Sequence, residues 1–233
     1  MTTDLPDDSA MFNYSDGQLA VRRLTFANDD GHKIHIQGVS HIADPDFWRS
    51  FKQTLAQYAR DGWIIHYELI KGHGQLTRKE RRRLKGIRRV SRIIARKSTK
   101  AGLEHQRKLE YPSGSKNVDM TAWKLASQLD FSLKDNVLFR VGSVLLAAIP
   151  FRFMKQFIAH VLLSKKSTSL SPKFDEVVLH DRNRLAVDAA ASEKLDVLMV
   201  WGAAHLPGMA KLLQVKGYTL TGSQWTAIMS VSL

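Results

Sequence analysis

The sequence predicts an α/β fold with a mixed, largely parallel central sheet, flanking helices and a basic helical insertion, and an α+β fold is the alternative. Two observations favour the parallel sheet. Asp196–Trp201 is an unbroken apolar run with the length of a strand that is covered on both faces, as parallel strands are. Near the N-terminus, a predicted strand, helix and strand follow one another as in a βαβ unit, which makes its two strands parallel.

The elements of that βαβ unit can be identified from side-chain patterns. Residues 1–18 are polar and acidic, which predicts a mobile lead-in to a single domain over residues 19–233. Apolar and polar side chains alternate over 33–38, as in a half-buried strand, and Asp44-Pro45 is typical of the start of a helix. In chain order we predict an edge strand over 19–26, a strand over 33–38, a helix over 45–60 and a strand over 63–69.

The C-terminal half contains the most apolar region of the chain, residues 137–163. Its uncharged part, Val141–Phe151, has eleven residues, whereas a helix that spans a bilayer needs about 20. We therefore predict a buried core helix, with a helix at a membrane interface as the alternative. The other predicted elements are a helix over 117–129 capped by Asn117–Met120, a helix over 174–191, the strand over 196–201, a helix from Pro207 to Gly217, and closing strands over 218–220 and 225–233.

The net charge of +13 comes from one segment. Residues 71–110 contain fifteen Lys and Arg against three Glu, a balance of +12, and the rest of the chain has a balance of +1. A narrow apolar stripe predicts a cationic amphipathic helix over 78–97; its members are Leu84, Ile87, Val90 (or Ser91) and Ile94. Such a helix suits an anionic membrane surface; nucleic acid is less favoured because the segment has no aromatic side chains. A solvated helix without a partner is the alternative.

Composition also limits the kinds of metal site that the chain can form and bears on the cellular location of the protein. The chain has no cysteine, which excludes disulfides and thiolate metal sites and leaves His, Asp and Glu as strong metal ligands. Its first residues contain no apolar stretch typical of a secretory signal. We therefore expect a cytoplasmic location, with peripheral attachment at the inner membrane face as the alternative.

Three candidate site residues lie at the ends of predicted strands. His41 and His205 each follow a strand, and Glu68 is near the end of another. Open α/β sheets bind ligands at the carboxyl ends of their strands, so these side chains are predicted to share one site. Imidazole and carboxylate suit Zn²⁺, Mn²⁺, Co²⁺ or Fe²⁺, and such an ion would lower the pKa of a bound water molecule. The alternative is that both histidines only hydrogen-bond loop backbone.

Arg182 is a further candidate because it lies on the apolar face of the helix over 174–191. A buried guanidinium needs an acceptor, since an unpaired buried charge is strongly unfavourable. Arg182 is predicted to hold Glu68 or Asp119, or to stabilise an oxyanion during hydrolysis. A purely structural ion pair is the alternative, and Asp119 fits a helix N-cap better than a catalytic role.

Four motifs occur in this order: Gly38-Val39-Ser40-His41, Tyr67-Glu68-Leu69, His180-Asp181-Arg182-Asn183 and Val200–Gly208. Together they resemble the TraB/PrgY/GumN family of the Tiki superfamily, which also includes erythromycin esterases. The resemblance covers most of residues 32–233 and implies an α/β domain with two Gly-x-x-His motifs, a Glu and an Arg in one site. It implies metal-dependent proteolysis, as in Tiki proteins, or lactone hydrolysis with a histidine base, as in the esterases. The implied site residues are His41, Glu68, Arg182 and His205, with Asp119 as a further member.

The sequence therefore predicts a metal-dependent hydrolase, a peptidase in one reading, that acts on a peptide or ester substrate. His41, Glu68 and His205 would bind a divalent metal ion, and Arg182 would orient the carboxylate. A metal-free esterase with His41 as general base is one alternative. The other is a non-catalytic module that binds anionic lipid or nucleic acid through the basic helix of residues 71–110.

Overall fold

A computed structural model of the chain describes residues 10–72, 76–78, 81, 85–128, 142–164 and 175–233. Among these residues it contains a mixed, largely parallel sheet with helices on both faces, which confirms the predicted α/β class. The strands are β1 (Phe12–Ser15), β2 (Gln18–Ala27), β3 (Lys33–Val39), β4 (Ile42–Ala43), β5 (Ile64–Tyr67), β6 (Glu104–His105), β7 (Lys116–Asn117), β8 (Val197–Gly202) and β9 (Thr219–Ser230). The α-helices are α1 (Pro45–Arg60), α2 (Lys85–Lys100), α3 (Ala122–Gln128), α4 (Gly142–Ala148), α5 (Met154–Leu163), α6 (Asp181–Ala191) and α7 (Leu206–Val215).

The parallel part of the sheet has the strand order β3-β8-β5-β7. The predicted βαβ unit is present as β3, α1 and β5, and β8 lies between its two strands. All residues of β8 are buried, because helices cover both of its faces. The segments that follow β3, β5 and β8 consequently meet at one edge of the sheet, where the candidate residues were predicted.

Side chains of β8 alternate between two hydrophobic cores. Leu198 and Val200 belong to the first core, which also contains buried residues of α1 and α5. Met199 and Trp201 belong to the second, where α6 and α7 cover the opposite face. Trp201 has no exposed surface, so burial of its large ring contributes strongly to the stability of the second core, at the end of the strand that leads to the site.

Helix α1 forms where the sequence predicts it. Pro45 is in its first turn, where a missing backbone N–H costs no hydrogen bond, and Gly62 follows its end with a φ of 81°. Phe47, Phe51 and Leu55 recur at helical spacing and are buried in the first core. The helix thereby fixes the connection from β3 to β5.

Two predictions about the antiparallel part of the sheet are wrong. The lead-in does not extend to residue 18, because Phe12–Ser15 forms β1 and pairs with β2; residues 1–9 lie outside the described part. Strand β2 is internal and not an edge strand, since it pairs with β1, β3 and β9.

The C-terminal prediction of two closing strands is also wrong. Residues 219–230 form the single strand β9, and a register shift opposite Thr25 and Phe26 absorbs the irregularity that the Thr221-Gly222-Ser223 stretch suggested. A bulge allows a strand to continue through residues that otherwise resemble a turn.

The basic segment is joined to the domain by its own apolar residues. Val90 and Ile94 of α2 pack against the first core, and Leu103 is buried in it. This agrees with the predicted cationic amphipathic helix within 85–97, whereas 79–80 and 82–84 lie outside the described residues. After α2, strand β6 pairs with β4, so the segment returns to the edge of the sheet where His41 lies.

Within its described part, residues 142–163, the apolar region does not form the predicted buried core helix; residues 137–141 lie outside the described ranges. Leu146 of α4 and Met154 and Ile158 of α5 are buried, but Val144 and Leu145 are exposed. Within the described ranges, no single helix is long and apolar enough to cross a membrane; α4 and Phe151–Leu163 meet that criterion only as a pair bent by 102°.

Candidate functional site

Arg182 lies between two carboxylates at the carboxyl edge of the sheet. Its Nε and Nη2 donate to Asp119 Oδ1 and Oδ2 at 2.8 and 2.9 Å, and Nη2 also donates to Glu68 Oε1 at 2.5 Å. The side chains of Arg182, Glu68 and Asp119 are 4%, 7% and 0% exposed. The structure therefore joins Arg182 to both of its predicted acceptors, and the guanidinium has little access to solvent.

The start of α6 positions Arg182. A π-helical turn over Glu176–His180 leads directly into α6, and Arg182 Nη1 donates to the carbonyl of Val178 in that turn at 3.4 Å. The second residue of α6 is thereby directed toward the sheet edge. Single-turn π-helices are frequent at functional sites, because they change the direction of side chains relative to a regular helix.

Glu68 has a fixed environment on both oxygens. While Oε1 accepts from Arg182, Oε2 accepts from the backbone N–H of Gly202 at 2.6 Å. Burial alone would raise the pKa of Glu68, but the charge of Arg182 and the hydrogen bond from Gly202 help to lower it to about 2. Glu68 is therefore ionised at neutral pH.

Asp119 is not the predicted helix N-cap. Helix α3 starts at Ala122, and Thr121 Oγ1 accepts from the N–H of Lys124, while Asp119 binds Arg182 with both carboxylate oxygens. Burial raises the pKa of Asp119, and the charge of Glu68 adds to the rise while Arg182 opposes it. Two carboxylates thus share one guanidinium, so their charges are coupled.

His205 is a buried, neutral histidine. Its Nδ1 donates to Asn183 Oδ1 at 2.6 Å, so Nε2 is the unprotonated nitrogen, and it accepts from Arg182 Nη1 at 3.4 Å. Burial lowers the pKa of His205 to about 4: the negative charge of Glu68 opposes this shift, but burial outweighs it, and the positive charge of Arg182 adds to the lowering. His205 therefore remains uncharged near pH 7 and serves as an acceptor for Arg182.

His41 is the exposed member of the group. Its Nδ1 donates to Gln106 Oε1 at 2.8 Å, and Gln106 Nε2 donates to the hydroxyl of Tyr111 at 3.3 Å. The backbone N–H of Gln106 also donates to the carbonyl of His41 at 3.0 Å. Because Nδ1 carries the proton, Nε2 of His41 is left as a proton acceptor at the rim of the site.

The predicted side chains surround Gly202 at the end of β8. A Cβ atom on Gly202 would lie 3.1 Å from Glu68 Oε2, 3.6 Å from His205 Cδ2 and 3.9 Å from His41 Cε1. The structure thus brings together His41, Glu68 and His205, and Arg182 joins them to Asp119. Neither histidine only hydrogen-bonds loop backbone, since the Nδ1 of each is held by a side-chain amide.

Two of the three predicted metal ligands, Glu68 and His205, are hydrogen-bonded to Arg182, and metal binding by His41, Glu68 and His205 stays a prediction. Among the described residues, no group of three His, Asp or Glu side chains is placed to hold a metal ion. The space between His205 Nε2 and Glu68 Oε1, which are 3.8 Å apart, also adjoins Arg182, whose guanidinium bonds to both atoms. A divalent cation at this place would have to displace the hydrogen bonds that Arg182 already makes to these two atoms.

Two residues of the site were not predicted from the sequence. Gln106 lies in the basic segment, and no local pattern links it to His41. Asn183 is adjacent to Arg182, and consecutive helical residues point in different directions. Helical periodicity therefore did not place Asn183 on the same face as Arg182. The motif His180-Asp181-Arg182-Asn183 contained the only available signal for Asn183.

Comparisons with family models, with curated proteins and with solved structures give no match for this chain. The resemblance to the TraB/PrgY/GumN family therefore stays a prediction that rests on the four motifs.

Proposed function

We propose that the chain is a metal-independent hydrolase of esters or lactones, in which His41 is the general base. The observation that carries this proposal is the placement of an exposed imidazole, whose Nδ1 is held by Gln106, near a buried carboxylate that is ionised at neutral pH. His41 Nε2 is available to accept a proton, and Glu68 lies near the same imidazole ring. General bases are most effective when a neighbouring group fixes their orientation and tautomer.

In the proposed reaction, His41 Nε2 removes a proton from water as the water oxygen attacks the carbonyl carbon of the substrate. The negative charge of Glu68 stabilises the imidazolium that forms. His41 then donates this proton to the alkoxide leaving group as the bond between carbonyl carbon and ester oxygen breaks. The products are the acid and the alcohol, and His41 returns to its neutral form.

The buried residues have a positioning role in this proposal. Arg182 holds Glu68 in place and is too enclosed to contact a substrate, because its donors are directed to Glu68, Asp119, His205 and a backbone carbonyl. His205 accepts from Arg182 and does not act as the base, because its pKa of about 4 leaves it a weak proton acceptor. The oxyanion role predicted for Arg182 is therefore not part of the proposal.

The test is hydrolysis of a panel of p-nitrophenyl esters and lactones by the wild type and by His41→Gln. We expect the substitution to lower kcat/KM by about 10²- to 10⁴-fold, the usual contribution of a general base. His160→Gln is the matched control, since His160 is an exposed histidine of α5 and should be replaceable without loss. Equal activity of His41→Gln and wild type would refute the proposal.

The chelator EDTA separates this mechanism from the metal-dependent one. We expect wild-type activity to persist in EDTA, because no proposed step uses an ion. Activity that is lost in EDTA and restored by Zn²⁺ or Mn²⁺ would favour the metal-dependent hydrolase that the sequence predicts.

A further inference from the structure

Helices α4 and α5, with the short turn Phe151–Phe153 between them, form an exposed apolar surface, which we call the apolar rim. Its side chains are between 37% and 65% exposed, although they belong to large hydrophobic residues. On α5, Phe157 and Val161 are four positions apart, which places them on the same side of the helix, away from the core. The members of the apolar rim are Val144, Leu145, Phe151, Phe153, Phe157 and Val161.

The cationic helix α2 packs directly beside this rim. It contacts both α5 and the short turn Phe151–Phe153, and Lys97 Nζ donates to the carbonyl oxygens of Ala147 and Ile149. The two surfaces are therefore held in a fixed relationship, with one lysine joining the positive helix to the segment that connects α4 to α5.

The segments that form this surface contain positive charges and no negative ones. Neither α2 nor residues 142–164 contain an Asp or Glu, whereas α2 has seven Lys and Arg. Arg88, Arg92 and Arg96 are exposed, and none of them pairs with a carboxylate in the described ranges of the chain. Arg152 adds a further exposed cation, which lies over the ring of Phe153 at 4.8 Å.

We infer that α2 and the apolar rim together dock the protein onto an anionic phospholipid surface. Exposed aromatic and aliphatic side chains would enter the boundary between headgroups and acyl chains, and the arginines would contact lipid phosphates. Nucleic acid would use the cations but would leave six exposed apolar side chains without a partner. This inference does not depend on the proposed hydrolase activity.

The test is co-sedimentation of the whole chain with phosphatidylcholine vesicles, with and without phosphatidylglycerol, at low and high salt. We expect binding only to the mixed vesicles, and weaker binding at high salt. Each cation at the surface is worth about fivefold in affinity, so Arg88→Gln/Arg92→Gln/Arg96→Gln should weaken binding roughly 100-fold. Phe151→Ser/Phe153→Ser should weaken it at least about tenfold, because both rings lose their contact with lipid.

Matched controls come from exposed residues outside α2, α4 and α5. Lys33→Gln/Lys194→Gln/Lys211→Gln removes the same number of exposed charges, and Leu195→Ser/Val215→Ser removes two exposed apolar side chains. Both controls should bind vesicles like the wild type. If circular dichroism shows that the Phe151→Ser/Phe153→Ser variant is unfolded, Val144→Ser/Leu145→Ser takes its place.

Three outcomes would overturn the inference. One is the absence of binding to the mixed vesicles. Another is binding that the apolar variants retain in full, since charge alone would then explain it. The third is binding of duplex DNA as tight as binding of the vesicles. If only the arginine variant lost this DNA binding, nucleic acid would be the partner.

Discussion

Replacing Arg182 with methionine removes the positive charge between Glu68 and Asp119 while keeping a long side chain. Both carboxylates are almost completely buried, so neither can be solvated once its partner is gone. Removing one partner of a buried ion pair costs about 3–5 kcal/mol. The structure gives a similar magnitude, because the drop in the pKa of Glu68 from 4.5 to about 2 corresponds to about 3 kcal/mol of stability at neutral pH.

The loss should depend on pH in a defined direction. In the wild type, the folded-state pKa of Glu68 is lowered, so its contribution is complete above pH 4.5 and is lost as the pH falls toward about 2. In Arg182→Met the two carboxylates bind protons at a higher pH than in the wild type. The difference in unfolding free energy should therefore be largest near pH 7 and become smaller on acidification toward pH 4.5.

Urea unfolding followed by tryptophan fluorescence, at neutral and mildly acidic pH, measures both effects. Arg184→Met is the matched control, because Arg184 lies in the same helix and its bonds to Glu176 and Asp181 are at the surface. Its replacement should leave stability unchanged within error. The reasoning would be refuted if Arg182→Met resembled Arg184→Met, or if its destabilisation increased as the pH was lowered.

Three further predictions address packing, titration and activity. Gly38→Ala should lower the free energy of unfolding by about 3 kcal/mol, since its Cβ would lie 2.7 Å from the carbonyl oxygen of Arg22. Gly222→Ala is the control and should be tolerated, because the nearest atom to its Cβ would be 3.7 Å away. Equal losses of stability in the two variants, measured by chemical denaturation, would contradict this packing. Because the folded-state pKa of His205 is lowered from 6.5 to about 4, the free energy of unfolding of the wild type should fall as the pH drops through that range, and that of His205→Gln should change less with pH. The same pH dependence in both proteins would contradict the conclusion that His205 is buried and neutral. Gln106→Ala should lower kcat about tenfold, because His41 Nδ1 loses the side chain that holds it. A variant with wild-type kcat would show that Gln106 has no positioning role.

The parallel part of the fold could be predicted because its signals are local. An apolar run such as β8 is recognisable without knowledge of its neighbours, and a βαβ unit fixes the direction of its strands. The meeting of His41 and Glu68 at the carboxyl edge follows from that direction, and His205 joins them because β8 is parallel to both strands. Sequence reasoning therefore found the residues that the backbone topology brings together.

The partners of those residues could not be predicted in the same way. Gln106 reaches His41 only because β6 pairs with β4, and such a short pairing leaves no periodic pattern. The pairing of Arg182 with both Glu68 and Asp119 likewise depends on tertiary geometry. Carboxylates can bind a guanidinium as well as a metal ion, so their presence in the sequence does not by itself identify a metal site. The antiparallel errors have a different origin: a bulge in β9 has the composition of a turn.

The long pairing of β2 with β9 determines when the sheet can be completed. Arg22 and Ser223 are hydrogen-bonded although they are 201 positions apart, and closing a loop of that length costs about 5 kcal/mol of chain entropy. Local units such as β3, α1 and β5 can form before this closure, so β2 has an uncovered edge during folding, and uncovered edges promote aggregation. We therefore expect a chain truncated before Thr219 to elute as aggregates in size-exclusion chromatography; a stable monomer would show that β9 is dispensable.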